Sequence, residues 1–112
     1  MELRHLRYFV TVAQELNFTR AAEKLNTVQP SLSQQIKDLE REVGVQLLER
    51  NNRKVGLTEA GQAFLTEALL SIEHAERAIQ SARQIANAQQ DQLNIGFVPV
   101  AEMKIFPYIM PN

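Results

Sequence analysis

The sequence predicts a mainly α fold: three short helices, a two-stranded hairpin and one long helix. Three observations carry this. Apolar residues recur at steps of three and four in three runs up to residue 43, with turn formers between them. Two short strand-like runs flank Asn51-Asn52-Arg53. No proline or glycine interrupts residues 62–91.

The first helix is read from Leu3, Leu6, Phe9, Val10 and Ala13, which share one face, and Asn17 ends its pattern. Thr19 is expected to cap a second helix, Arg20 to Leu25, with Ala21, Ala22 and Leu25 turned inward. Two adjacent alanines permit close approach of backbones. Asn26 tolerates a left-handed conformation and so stops this helix and turns the chain. Pro30 suits the first turn of a third helix, where its missing N–H costs nothing. At 100° per residue, Leu32, Ile36, Leu39 and Val43 fall in one arc of that helix. Pro30, Ser33, Gln34, Lys37 and Arg41 fall in the opposite arc, giving an apolar back and a polar, cationic front. Gly44 ends the helix.

Gln46–Arg50 and Lys54–Leu57 read as the strands of a β-hairpin, with Arg50, Arg53 and Lys54 around its tip. Thr58 is expected to cap the long helix, with Glu59 favourable in its first turn. Along it, Leu65, Ala68, Ile72, Ala75, Ile79, Ala82 and Ala86 form a heptad seam. About 30 helical residues reach about 45 Å, further than the small domain extends, so the seam is read as a surface for a second copy. Leu93–Val98 reads as a strand broken by Pro99, and Ala101–Met110 as the start of a helix. A lone strand forms no sheet, so residues 92–112 are taken as the start of a larger α/β domain. The organisation expected is 1–58 a compact helical domain with a hairpin, 59–91 a linker and dimerisation helix, and 92–112 the opening of an α/β domain.

Composition narrows the function. The chain has 112 residues, 45% of them hydrophobic, which suits a folded core rather than a disordered chain. It has no cysteine, which excludes a disulfide scaffold, a thiolate metal site and a cysteine nucleophile, and fits a reducing cytoplasm. There is no apolar run long enough to span a membrane, and the N-terminal residues lack the apolar run of a signal peptide. Net charge is -1, but it is unevenly placed. Residues 1–57 hold nine Lys/Arg against seven Asp/Glu, and residues 58–112 hold three against six. A nucleic-acid footprint would therefore come from local clustering.

Two short helices joined by a tight turn, the second with a polar front, make a helix-turn-helix. An α-helix fits the major groove, where Gln, Ser and Lys can hydrogen-bond base edges. The free N–H groups at its start suit a phosphate. A hairpin with a cationic tip can reach the adjacent minor groove or the phosphate backbone. A polar helix front alone is more often simply solvated. The ordered set of helices, polar front, basic hairpin and heptad helix is far more specific.

The run Leu3-Arg4-His5-Leu6-Arg7-Tyr8-Phe9-Val10 resembles the opening helix of LysR-type transcription regulators. So do Asn17-Phe18-Thr19-Arg20-Ala21-Ala22-Glu23-Lys24-Leu25, Gln29-Pro30-Ser31-Leu32-Ser33 and Ile36-Lys37-Asp38-Leu39-Glu40. Gly44-Val45-Gln46-Leu47-Leu48-Glu49-Arg50 and Leu57-Thr58-Glu59-Ala60-Gly61 complete the likeness, which runs almost unbroken over residues 1–61. Within the family the chain resembles regulators of aromatic-acid catabolism, such as those for benzoate and phenylpropionate. The resemblance implies a homodimer or dimer of dimers on double-stranded promoter DNA, with linker helices antiparallel. It also implies a small-molecule inducer bound by a C-terminal domain outside this chain. It places Gln29, Pro30, Ser33 and Gln34 at base-facing positions and Arg53 in the minor groove. Arg20, Thr27, Ser31, Arg50 and Lys54 suit phosphates by chemistry and position, and Lys37 suits either a phosphate or a base. Leu65, Ala68, Ile72, Ala75, Ile79 and Ala82 are the expected dimer seam. Many members carry arginine where this chain has Gln34, so its base preference is not inherited from them.

No catalytic set, cofactor site or metal site is expected. His5 and His74 lie on different helices without a histidine at ligand spacing, and Ser31 and Ser33 lack a local base. Glu40, Glu42 and Glu49 read as surface charges, and Tyr8 and Phe9 as core-facing or partly buried rather than base-stacking. A rival from another class is a protein-interaction module that docks a protein on the winged helix. Salt-dependent affinity for duplex DNA separates the two.

Overall fold

In the computed structural model the described residues are 1–51 and 54–95, with 90–95 described by their backbone alone. Chain contacts divide it into two units, Met1–His74 and Ala75–Asn112. The element order is α1 (Leu3–Glu15), α2 (Phe18–Lys24), α3 (Gln29–Val43), β1 (Leu48–Arg50), β2 (Val55–Leu57) and α4 (Glu59–Ile95).

In the first unit, α1, α2 and α3 pack on one another around Phe9, Val12, Ala21, Leu32 and Ile36, all at most 1% exposed. Phe9 meets Phe64 of α4 edge to face, with ring centroids 5.2 Å apart. Two positions depart from the expected apolar faces. Leu3 and Val43 lie at the outer ends of their helices and are exposed, whereas Val12 and Phe18 join the core.

Local chemistry sets the helix ends. His5 Nδ1 accepts the Glu2 N–H at 2.9 Å, so this histidine helps close the start of α1. Leu16 ends α1 in the left-handed region (φ 50°). The cap of α2 is Asn17, not Thr19: Asn17 Oδ1 accepts the Arg20 N–H at 2.9 Å. Asparagine is as good an N-cap as any residue, and using it starts the helix early enough to bury Phe18. Asn26 turns the chain at φ 56°, as expected, and Gly44 ends α3 at φ 90°.

The hairpin is antiparallel, pairing Leu48 with Leu57, Glu49 with Gly56 and Arg50 with Val55. Its strands are shorter than expected because Gln46 and Leu47 precede the ladder. Leu47 and Leu48 are each 1% exposed, so both of these neighbours enter the core. Glu40 is not the surface charge expected. Its Oε2 accepts the N–H groups of Leu47 at 2.8 Å and Leu48 at 2.9 Å, fastening α3 to the segment that enters β1. Hydrogen bonds to an ionised acceptor are about twice as strong as neutral ones. Thr58 does cap α4: its Oγ1 accepts the Gly61 N–H at 2.9 Å and donates to the Gln46 carbonyl at 2.7 Å.

The strand expected from Leu93 is corrected at its first residues. The backbone continues as helix to Ile95, and residues 96–112 lie outside the described part. Local propensity there is ambiguous, and the short run continues a helix of 37 residues. No helix among the described residues is long and apolar enough to cross a membrane.

Candidate nucleic-acid interface

The α2–turn–α3 unit is held by its backbone. Asn26 N–H bonds to the Glu23 carbonyl at 3.2 Å and Thr27 N–H to the Ala22 carbonyl at 2.9 Å. Leu32, Ile36 and Leu39 anchor the back of α3 at 0–2% exposure. With the back fixed, the front is fixed too. Gln29, Pro30, Ser31, Gln34 and Lys37 are exposed on α3, and Arg20 is exposed at the start of α2. Thr27 is half-buried, with its N–H spent on the turn. Lys54 is exposed beside the hairpin tip, where its N–H bonds to Asn51 Oδ1 at 2.7 Å. Arg53 and Asn52 lie outside the described residues.

Ser33 is less open than the others. Its Oγ accepts a hydrogen bond from Arg50 Nη1 at 2.8 Å. The Arg50 guanidinium also lies over the Phe18 ring, 4.5 Å from its centroid. One cation from the wing thus touches α2 and α3 at once, and its Nη2 is buried with no hydrogen-bond partner among the described residues. This position suits support of the helix-turn-helix better than reach to a phosphate. A hydroxyl that accepts from arginine still has its own proton to donate. Ser33 is thereby left a donor toward any acceptor on the front of α3.

Gln34 is oriented as well. Its Nε2 donates to Asp38 Oδ1 at 3.0 Å, and Arg41 Nη1 donates to the same oxygen at 2.9 Å. The Gln34 hydrogen bond, aided by that of Arg41 and its charge, holds the Asp38 carboxyl below the usual range. Lys24 pairs with Glu15 at 2.7 Å on the other side of the turn. The Asp38 arrangement was not visible in the sequence pattern, where Asp38 lies just off the front arc. The signal available was the Gln34–Asp38 spacing of one helical turn, which brings such side chains together.

On α4, Leu65, Ala68 and Ile72 pack in the first unit against Leu6 and Val10 of α1, and Ala68 is 3% exposed. For these three, packing on their own domain is realised. Ala68 is thus covered within the first unit, while Leu65 and Ile72 keep part of their surface open. In the second unit Ala75 is half-buried, Ala82 is exposed and Ile79 is 51% exposed.

A helix-turn-helix with its second helix presented outward and a two-stranded wing beside it is a winged helix-turn-helix, the fold class of many DNA-binding domains. The chain belongs to the LysR family of bacterial regulatory helix-turn-helix proteins, whose family model matches residues 3–62.

Among its relatives is the Hca operon transcriptional activator HcaR of Escherichia coli (strain K12), 62% identical over 111 residues. That match covers 99% of this chain and 37% of the relative. The transcriptional regulator BenM of Acinetobacter baylyi is 43% identical over 110 residues, 98% of this chain and 36% of the relative. The chain thus spans little more than a third of these relatives. Among solved structures, the BenM DNA-binding domain in complex with benA site 1 DNA superposes with a TM-score of 0.74 at 48% identity. It covers 77% of this chain and 97% of that one. Full-length CbnR complexed with its target DNA gives 0.71 at 43% identity, over 74% of this chain and 29% of that one.

Proposed function

We propose that this chain is the DNA-binding part of a non-enzymatic, sequence-specific bacterial transcription regulator that acts on promoter DNA as a dimer or dimer of dimers. One observation carries the reading. Over 77% of its length the chain matches, at 48% identity, a DNA-binding domain whose structure was solved in complex with benA site 1 DNA. The geometry supports it. A polar, exposed α3 front is held rigidly by a buried back, and base readout in the major groove requires such placement. In this reading Gln29, Pro30, Ser33, Gln34 and Lys37 face bases, and Arg53 enters the minor groove. Arg20, Thr27, Ser31 and Lys54 meet phosphates, and Arg50 holds Ser33 in place. Effector sensing falls to a domain outside this chain, and the regulator works in the cytoplasm.

The test is binding of the 112-residue chain to duplex DNA across a salt series, with selection of sites from random duplexes. Affinity should fall as salt rises, because cations on the protein displace counterions. The selected sites should be two-fold related half-sites on one face of the duplex. Salt-independent binding without sequence selection would favour the protein-interaction module instead.

Dimerisation is expected through the part of α4 that its own domain does not cover. Ile79 is the most open of the large apolar seam residues among those described, at 51% exposure. Ile79→Asp would bury an unpaired carboxylate and should weaken dimerisation by about tenfold or more. Ile72→Asp is a less clean test, since Ile72 also packs against the α1 cluster. An unchanged dimer of Ile79→Asp by sedimentation would move the interface elsewhere.

A further inference from the structure

We propose that Asp38 sets the base preference of the recognition helix by holding the Gln34 amide in one orientation, so that Gln34 selects adenine. The inference rests on the regulator reading above.

A glutamine amide carries a donor end and an acceptor end, and rotation of the amide exchanges them. Unconstrained, it meets acceptor bases with its nitrogen and donor bases with its oxygen, and discriminates little. Here the choice is made within the protein. An ionised carboxylate only accepts, so the amide end facing Asp38 is the nitrogen, at 3.0 Å. Arg41, one turn further along, fixes the same carboxylate oxygen at 2.9 Å from the other side. Gln34, Asp38 and Arg41 thus form a chain of three along one strip of α3. Gln34 Oε1 is turned away from the carboxylate, and one proton remains on Nε2.

That leaves an acceptor beside a single donor. Adenine presents the complement in the major groove: an N6 amino donor beside the N7 acceptor. Guanine presents two acceptors, O6 and N7, and would meet Oε1 with repulsion. Thymine can take the Nε2 proton on O4 but offers Oε1 no donor, only its methyl group. Cytosine N4 satisfies Oε1 but leaves the remaining Nε2 proton without a partner. Asp38 itself adds negative charge near the phosphates, which weakens binding to every sequence alike. Its two effects therefore have separate signatures, one on selectivity and one on affinity.

The experiment measures binding of the full chain to a panel of duplexes carrying every single-base change in its selected site, at one salt concentration. It uses the parent, Asp38→Ala, Gln34→Ala and the double variant. Asp38 is exposed and alanine is a strong helix former, so folding is expected to survive, and thermal melts check it. Asp38→Ala should bind all duplexes somewhat more tightly. It should lose about threefold or more of the adenine-over-guanine preference at one position of each half-site, the worth of one oriented hydrogen bond. In the Gln34→Ala background, Asp38→Ala should change affinity uniformly and the profile not at all. A single-variant profile that differs from the parent's by a uniform factor overturns the proposal. So does a profile change that persists without Gln34, or a parent that favours guanine or thymine where Gln34 acts. A parent that discriminates no base at all overturns the regulator reading itself, and the role of Asp38 with it.

Discussion

Gln34→Arg should turn the preference at one base pair of each half-site from adenine to guanine. The substitution exchanges an acceptor-plus-donor edge for a fork of donors, and guanine offers O6 and N7 to such a fork. A correct bidentate pair discriminates by about 1–3 kcal/mol against the wrong base, roughly a factor of five to more than a hundred. The helix should hold its place, because Leu32, Ile36 and Leu39 on the opposite face are untouched and buried. Asp38, now facing a guanidinium one turn away, should retain part of that charge, so the gain on non-specific DNA should be small. Single-base substitution profiles of parent and variant at fixed salt make the comparison. Two parallel profiles would mean that Gln34 reads no base.

Gly61→Ala should cost the domain about 2–3 kcal/mol, the scale of forced overpacking, and should do so without touching the polar front. Gly61 sits in the first turn of α4, with its N–H on Thr58 Oγ1. A Cβ there would collide with the Leu47 carbonyl oxygen and stand 2.9 Å from the Leu47 carbonyl carbon and 3.2 Å from Leu57 Cδ2. The first two obstacles are backbone and cannot swing aside. That same carbonyl accepts the Thr58 N–H at 3.0 Å, so moving it disturbs the start of α4 as well as the approach to β1. For a domain of this size the thermal midpoint should fall by about 10–20 °C. A melt unchanged from the parent would show that the contact relaxes at little cost.

The helices were legible because their signals are local. The three- and four-residue spacing of Leu32, Ile36 and Leu39 reports burial directly, and Asn26 and Gly44 announce left-handed turns. The exposed front of α3 followed from the same periodicity. Contacts between elements were not legible. Nothing in the pattern distinguishes Glu40, which receives two backbone N–H groups from a segment seven and eight residues on, from any solvated glutamate. Arg50 looked like a hairpin-tip cation, and its placement over Phe18 depends on how the wing folds back, which spacing does not encode. Leu65 and Ala68 satisfied a heptad because a helix lying on α1 shows the same periodicity as one lying on a second copy. Leu93–Ile95 failed for a related reason: a short apolar run reads as strand or helix, and its neighbours decide.

Glu40 and Arg50 together have a mechanical consequence. The first bolts the chain entering β1 to the last turn of α3, and the second rivets the end of β1 to Ser33 and Phe18. The wing base and the recognition helix are then one stiff caliper, with the offset between its two jaws set before any target is met. Such a caliper cannot stretch to suit a duplex whose grooves are spaced differently. The nucleic acid has to yield instead, by bending or by narrowing a groove, at an elastic cost that varies with base step. Base pairs that no side chain touches would then still be selected, through their pliancy.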